Sequence, residues 1–209
     1  IHPKLALECN LRIANTIAKR IRDVMFQVKN PKFSGTVLLS HKINKKNRKK
    51  IKNVRSQLND LTLHLMPELA DFTLEEITTL CKVMPCFEYH QGAKIFIEGE
   101  KTRDPYLVLR GAVQTCFKKN NKLSKLSVIG PGHYVGMVSF VDQGPQPNTA
   151  FVREKAQLMQ ISESGMNILK EKHLFLFNKL NNNLHQAITK NFRMFLMHLL
   201  RSESLKHLS

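Results

Sequence analysis

Hydrophobic positions in the first third of the chain recur at helical spacing. An apolar stripe with three- to four-residue steps predicts an amphipathic helix over 3–28, and Asn30-Pro31 ends it because the residue before proline disfavours the helical region. The stripe consists of Ile13, Ile17, Ile21, Val24 and Val28. A second stripe of the same kind predicts another helix over about 43–66.

A capping box predicts the start of a third helix. Thr73 and Glu76 stand three residues apart ahead of an apolar run, so that each side chain can accept a hydrogen bond from the backbone amide of the other. We therefore expect a helix over about 74–83.

From residue 86 the hydrophobic pattern changes to that of short strands. Eight β-like runs are separated by turn-forming residues, which is typical of an antiparallel sandwich or barrel. The runs are 87–89, 94–97, 106–109, 112–117, 126–129, 134–138, 150–152 and 157–161. After Ser162, which we expect to cap a helix, the pattern is helical again and predicts a longer helix near 181–202.

Basic residues are concentrated towards the start of the chain. Lys and Arg number 33 against 16 Asp and Glu, a formal charge of +17, and residues 1–60 hold 15 of these cations but only three acidic residues. The densest run is 42–52, and such a patch attracts polyanions. We interpret it first as a solvated basic helix or linker that contacts acidic protein neighbours, and second as a patch facing anionic lipid. Nucleic acid ranks third, because no aromatic residues are interleaved for bases to stack on.

Little in the sequence indicates catalysis or a metal centre. Four cysteines and nine histidines show no clustered spacing, so we predict no zinc site and interpret the cysteines as reduced thiols in a cytosolic protein. There is no nucleophile–base pair or phosphate loop, so we predict no catalytic residues and no enzyme. The scattered carboxylates Asp104, Asp142, Glu154 and Glu163 are interpreted as solvated surface groups.

Neither a membrane span nor a leader is visible. No window approaches 18 uninterrupted apolar residues, and the chain starts with Ile1 and no charged-then-apolar leader. We therefore expect a cytoplasmic segment of a longer polypeptide.

Three glycine-bearing segments resemble the cyclic nucleotide-binding domain of catabolite activators, kinase regulatory subunits and cyclic-nucleotide-gated channels. They are 87–99, 105–111 and 129–136, in that order, with glycines where a barrel strand must turn tightly. The resemblance covers roughly 57–202. It implies an α+β fold: an antiparallel β jelly-roll barrel of about eight strands, flanked by N-terminal and C-terminal helices. It also implies a division into a basic helical extension or linker (1–56), the domain itself (57–202, with the barrel over about 86–162 and C-terminal helices over 163–202) and a tail (203–209).

The resemblance places the ligand at a cassette, which here is residues 134–152. In the family, a Glu after a glycine holds the ribose hydroxyl, an Arg pairs with the cyclic phosphate, and a short helix offers backbone amides to it. Gly136 matches the glycine, whereas Met137 and Asn148 stand where the Glu and the Arg would be. The expected ligand-binding positions are Gly136, Met137, Val138, Asn148, Thr149 and Ala150.

The two substitutions predict a weakened site. A charge-assisted hydrogen bond contributes about 1.5–3 kcal/mol, so losing two removes about two to four decades of affinity. Arg153 is the nearest arginine and would need a changed strand register to point inward, and His133 is interpreted as a turn residue. We therefore expect no cofactor, with cyclic nucleotide disfavoured.

The sequence thus favours a non-enzymatic regulatory or interaction module that binds cyclic AMP or GMP weakly or not at all. Its expected partners are another protein or adjacent domains of a larger signalling, channel or transporter chain, with anionic lipid as a further candidate through 42–52. The alternative is a sensor that binds a cyclic nucleotide or another small ligand in the barrel pocket. A transcription factor is disfavoured, because too few residues follow 202 for a winged-helix reader.

Overall fold

The computed structural model describes residues 3–28, 48–51, 62–63, 65–119 and 122–204. They form one seven-stranded antiparallel sheet with helices before, within and after it. The strands are β1 (Arg48–Ile51), β2 (Cys86–Tyr89), β3 (Lys94–Phe96), β4 (Tyr106–Lys119), β5 (Lys122–Ile129), β6 (Tyr134–Val135) and β7 (Thr149–Gln160). Their hydrogen-bonded order is β1-β2-β7-β4-β5, with β3 added to β7 and β6 to β4.

The two longest strands, β4 and β7, pair along most of their length and bend together. Their register shifts between Val108 and Val113, and such irregularities kink a strand pair and increase its twist. Gly111 lies in this stretch at φ +77°, and a Cβ there would collide with the backbone of Lys155. The bend lets β2 and β6 flank one half of the pair, while β3 and β5 flank the other.

Within the described residues, five helices accompany the sheet. They are α1 (Pro3–Val28), α2 (Leu74–Val83), α3 (Met137–Asp142), α4 (Glu163–Lys172) and α5 (Leu174–Ser204). One apolar cluster lies among the strands, and a second joins the helices to the neighbouring strand residues, so the helices cover a buried face of the sheet. Within the described ranges, no helix is long and apolar enough to cross a bilayer.

Helix α1 packs against α3 and α5 through a face of small and medium side chains. Ala14, Ala18, Ile21 and Met25 are buried, and Asn10 Nδ2 donates a 2.8 Å hydrogen bond to Asn182 Oδ1 of α5. The predicted helix is confirmed. Its buried face differs from the predicted stripe, because the two alanines allow close approach to the neighbouring helices while Ile13 is 53% exposed.

The two predicted caps are confirmed. Thr73 Oγ1 accepts from the amide of Glu76 at 3.2 Å, Glu76 Oε2 accepts from the amide of Thr73 at 2.8 Å, and α2 follows directly. Ser162 Oγ accepts from the amide of Gly165 at 3.1 Å and caps α4.

The predicted helix over 43–66 is wrong at residues 48–51, which form β1. This strand pairs with β2 in a register that joins Arg48 to Tyr89 and Ile51 to Cys86. Pairing with a strand far along the chain overrides the helical spacing of the local sequence. Residues 43–47, 52–61 and 64 lie outside the described residues, and the boundary at 56/57 stays a prediction.

The strand count of about eight is also adjusted. The predicted runs 106–109 and 112–117 belong to the single strand β4, and the runs 150–152 and 157–161 belong to β7 apart from Ile161. The run 134–138 is divided between β6 and α3. The jelly-roll architecture of an antiparallel sheet flanked by helices is confirmed, with seven strands.

Candidate ligand cavity at the cassette

The cassette (134–152) begins with β6, and α3 follows this strand after one residue, Gly136. Gly136 adopts φ +85°, a left-handed conformation that favours glycine, and it turns the chain into the first helical residue, Met137. A Cβ on Gly136 would stand 3.2 Å from the Phe96 ring. The glycine therefore meets both a backbone and a packing requirement.

The loop after α3 is held by hydrogen bonds. Ser139 Oγ donates to the carbonyl of Pro145 at 3.0 Å. Gln146 donates through its backbone amide to the Glu100 carbonyl and through Nε2 to the Thr102 carbonyl, both at 2.8 Å. The cassette is thus anchored to the β3–β4 connection.

An ion pair ties the cassette to helix α1. Arg22 Nε and Nη2 contact the two carboxylate oxygens of Asp142 at 2.7 and 2.8 Å, and Arg22 Nη1 donates to the Pro145 carbonyl at 2.8 Å. The Asp142 side chain is only 8% exposed. Its interpretation as a solvated surface carboxylate is therefore wrong, because a guanidinium distant in sequence lies against it. Of the other three, Glu154 and Glu163 are exposed, whereas Asp104 is half-buried and accepts from Gln160 Nε2 at 2.7 Å.

A cavity of about 440 Å³ lies beside the cassette. Its wall combines residues of β4, β5 and β6 with the start of α3, and with Ile21 and Met25 of α1 and Ile188 of α5. Four of the six expected ligand-binding positions contribute to this wall: Gly136, Met137, Val138 and Asn148. The sequence does not predict that α1 contributes to the cavity wall, although Ile21 belongs to the predicted apolar stripe.

The other two expected positions do not line the cavity. Thr149 is buried, and its Oγ1 accepts from the amide of Glu98 at 3.1 Å. Ala150 is fully buried in the sheet, where it pairs with Phe96 and Thr115. Both residues support the fold next to the cavity.

The wall carries no formal charge from Lys, Arg, Asp or Glu among the described residues. Arg153 lies in the exposed central stretch of β7, so it does not supply the missing cation. The guanidinium of Arg22 is already paired with Asp142. The remaining polar groups of the wall include the hydroxyls of Thr115 and Ser127, which hydrogen-bond to each other at 2.7 Å.

A buried carboxylate that sequence reasoning missed lies next to this wall. Glu68 is 1% exposed, with His133 Nδ1 3.7 Å from Oε1 and Lys190 Nζ 3.6 Å from Oε2. Within the described part of the chain neither carboxylate oxygen accepts a hydrogen bond. His133 lines the cavity, so the turn residue predicted from the sequence also contacts the candidate ligand space.

Tyr134 links the cavity wall to α5 through a hydrogen bond. Its hydroxyl donates to Asn183 Oδ1 at 2.9 Å, and Asn183 Nδ2 donates to the Glu68 carbonyl at 3.0 Å. Burial raises the pKa of Tyr134 well above its usual value, and the nearby Glu68 raises it further. The phenol is therefore neutral at physiological pH and acts as a hydrogen-bond donor.

The described residues show no metal-binding cluster. In the part of the chain that the structure describes, no group of three or more His, Cys, Asp or Glu side chains is placed to hold a metal ion. The four cysteines, all of them among the described residues, form no disulfide with one another. The cavity remains the feature best suited to bind a small molecule.

Comparison with known proteins agrees with this architecture. Residues 86–173 match the family model of the cyclic nucleotide-binding domain. Among curated proteins, none matches the sequence of this chain.

Similar solved structures have low sequence identity and share the fold. A cyclic nucleotide-binding domain from Methylobacillus flagellatus is 20% identical, covers 74% of this chain and 88% of its own, and has a TM-score of 0.63. The N-terminal domain of a transcriptional regulator from Streptomyces coelicolor is 21% identical, with 62% and 94% covered and a TM-score of 0.53.

A third structure is the regulatory domain of Toxoplasma gondii PKA with cAMP. It is 14% identical, covers 65% of this chain and 50% of its own, and has a TM-score of 0.50. The resemblance is therefore confirmed: residues 86–173 match the cyclic nucleotide-binding domain family, and the sheet with its flanking helices has that domain's jelly-roll fold.

Proposed function

We propose that this chain is a non-enzymatic regulatory or interaction module whose cavity binds cyclic AMP and cyclic GMP weakly or not at all. The observation that carries the proposal is the uncharged wall at the cassette, which includes Met137 and Asn148. We assign these two residues, from the family resemblance, to the positions of the family's Glu and Arg. A cyclic phosphate would have to leave water without a cation to replace its hydration, which is costly in a low-dielectric site.

Two cations near this region, both among the described residues, are already paired. Arg22 binds Asp142 and the Pro145 carbonyl, and Lys190 faces Glu68. Recruiting either one for a phosphate would leave a carboxylate of low exposure without its cation, which is unfavourable. The phosphate therefore gains little from these groups.

Isothermal titration with cyclic AMP and cyclic GMP tests the proposal. We expect no binding tighter than about 10 µM, in line with the loss of two charge-assisted bonds. A dissociation constant below this value for either nucleotide would overturn it.

The matched gain-of-function variant is Met137→Glu combined with Asn148→Arg. Both side chains line the cavity, so the double variant restores the family's pair at the expected place. We expect cyclic nucleotide affinity to rise by about two to four decades, whereas each single variant gains less. Unchanged affinity in a folded double variant would show that these two positions do not determine binding.

Docking to another protein, or to adjacent domains of a larger signalling, channel or transporter chain, is the proposed role. Leu174 and Phe175 at the start of α5 are 58% and 75% exposed, and adjacent exposed apolar residues of this size are typical of protein contacts. Lys49 and Lys50 are exposed on β1, which supports contact of the 42–52 segment with a polyanion. We propose a cytoplasmic location for the module, at the inner face of a membrane if that polyanion is lipid.

A functional ligand sensor is the second candidate. The cavity favours it, because about 440 Å³ of space is not filled by side chains and falls within the usual size of small-molecule sites. This candidate differs from the first in requiring that a cyclic nucleotide or another small ligand occupies the cavity.

A further inference from the structure

We propose that the cavity beside the cassette binds an uncharged, largely apolar small molecule, and that helix α1 forms part of its binding wall. The inference deepens the second candidate function and rests on it. It is drawn from the size of the cavity, the chemistry of its wall and the position of α1.

The cavity is large enough for such a ligand. Its volume of about 440 Å³ corresponds to roughly fifteen water molecules at about 30 Å³ each. Cavities of about 300–1,000 Å³ accommodate drug-sized molecules. A space of this size in an otherwise close-packed domain removes packing contacts from its wall, and an apolar ligand would restore them.

The chemistry of the wall disfavours a charged ligand. None of its 17 described residues is Lys, Arg, Asp or Glu. The Thr115 and Ser127 hydroxyls satisfy each other, and the Tyr134 hydroxyl donates to Asn183. An ion would therefore lose hydration without compensation, whereas apolar surface would be buried favourably.

The Asn148 side chain leaves room for one or two hydrogen bonds to the ligand. It lines the cavity and has no hydrogen-bond partner within the described residues, whereas the buried Nδ1 atom of His133 faces the Glu68 carboxylate at 3.7 Å. A few convergent polar groups in an apolar wall are typical of sites that orient a neutral ligand. We therefore assign the ligand one polar, uncharged end.

Helix α1 connects the ligand to the rest of the molecule. Ile21 and Met25 line the cavity, while the adjacent Arg22 holds Asp142 and the Pro145 carbonyl of the cassette. An occupant would contact α1 and the cassette together, and its binding would therefore stabilise their docked arrangement.

The test uses Nile red, an uncharged apolar dye whose fluorescence rises in apolar surroundings. We expect a saturable fluorescence increase with the full chain and no displacement by cyclic AMP. In Val128→Trp, the larger side chain at the 41% exposed rim should weaken dye binding at least about tenfold. Hydrogen exchange at the α1 amides should slow when the dye is bound.

Ile168→Trp is the matched control. Ile168 is 37% exposed on α4 and does not line the cavity, so this variant should bind the dye like the unmodified chain. Both variants are first checked for a native circular dichroism spectrum and a cooperative melt. If Val128→Trp does not fold, Val128→Phe replaces it.

Three outcomes would overturn the inference. They are no saturable dye binding by the folded chain, equal binding by the Val128 and Ile168 variants, and unchanged exchange in α1. Absence of dye binding together with absence of cyclic nucleotide binding would refute this inference alone, leaving the regulatory module proposal standing. Displacement of the dye by cyclic AMP at micromolar concentration would refute both.

Discussion

The four cysteine side chains lie in different surroundings and so differ in reactivity. Cys9 is exposed on α1 and Cys81 is half-buried on α2. Burial raises the pKa of Cys86 to about 12, with a further contribution from Cys81. Burial likewise raises the pKa of Cys116 to about 12, and Glu98 adds to it. Both buried groups are therefore protonated thiols at neutral pH.

We predict that alkylation with iodoacetamide at pH 8 modifies Cys9 first and leaves Cys86 and Cys116 intact. At a pKa of about 12 only about one thiol in ten thousand is ionised at this pH, and the thiolate is the reactive form. Peptide mass spectrometry gives the extent of modification at each site. The control is the same reaction in denaturant, where all four should react. Equal rates for Cys9 and Cys116 in the folded chain would contradict the prediction.

Two side chains account for the proposed low affinity for cyclic nucleotides. Met137 and Asn148 were identified from the sequence alone, because the glycine pattern aligns the cassette with its family. Arg22 and Glu68 were not identified as part of this region, since their partners, Asp142 and Lys190, are more than a hundred residues away in sequence. Such residues approach the site only in the folded chain, so no pattern in the local sequence identifies them.

At the scale of elements, the contact between α1 and the cassette is the most specific of the helix contacts described here. Arg22 makes a two-pronged ion pair with Asp142 and a third bond to the Pro145 carbonyl. A planar guanidinium suits this arrangement, whereas an ammonium group would make it only in part. The Arg22 side chain is 31% exposed and that of Asp142 is 8% exposed, so water screens the pair only partly.

A double-mutant cycle with Arg22→Gln and Asp142→Asn should give a coupling free energy of about 1–3 kcal/mol in urea unfolding. The matched control is the pair Glu8 and Arg12 on the same helix, whose atoms are also 2.7 Å apart but whose side chains are 57% and 79% exposed. We expect that pair to contribute about 0.5 kcal/mol or less, as is usual for exposed helical ion pairs. A coupling for Arg22 and Asp142 no larger than that of the control would contradict this prediction.

The elements that were predicted well are those with local signals. Helix α2 follows a capping box whose two partners are three residues apart, and α1 has a long amphipathic pattern. Strand β1 was not predicted, because its partner β2 is distant in sequence. The apolar spacing of the segment itself indicated a helix. The division of residues 134–138 between β6 and α3 depends on the left-handed turn at Gly136, which hydrophobic periodicity does not report.

At the scale of the whole molecule, α5 links separate parts of the fold. Lys179 Nζ lies 2.6 Å from Glu76 Oε2 at the start of α2, Asn182 bonds to α1, and Asn183 bonds to Tyr134 of the sheet. Burial raises the pKa of Glu76, but the hydrogen bonds from Lys179 and Thr73 outweigh it, so that its pKa lies below the usual value. Folding stability therefore depends on the charge of Glu76.

The sign of this dependence follows from linkage. Because the pKa is lowered by folding, the contribution is present above the ordinary value of 4.5 and is lost as the pH falls through the lower folded value. Glu76→Gln keeps the capping box but removes the charge. At pH 7 we expect it to cost about 1 kcal/mol and to lower the Tm by about 2–4 °C.

Calorimetric melts at pH 7 and at about pH 3.5 check this expectation. The difference in Tm between the unmodified chain and Glu76→Gln should shrink at the lower pH. Glu171→Gln is the control, because Glu171 is exposed on α4 and makes no ion pair among the described residues. A difference that stays constant or grows on acidification would contradict the linkage.

The presence of Ile21, Arg22 and Met25 in one stretch of α1 has a practical consequence for experiments on a shortened chain. Cutting the chain at the boundary expected from family resemblance, after residue 56, would remove one side of the cavity and the guanidinium that holds Asp142. Such a fragment would expose Ile188 to solvent and leave a carboxylate alone beside the loop. Any binding constant measured on it would describe a cavity that lacks the part of its wall supplied by α1.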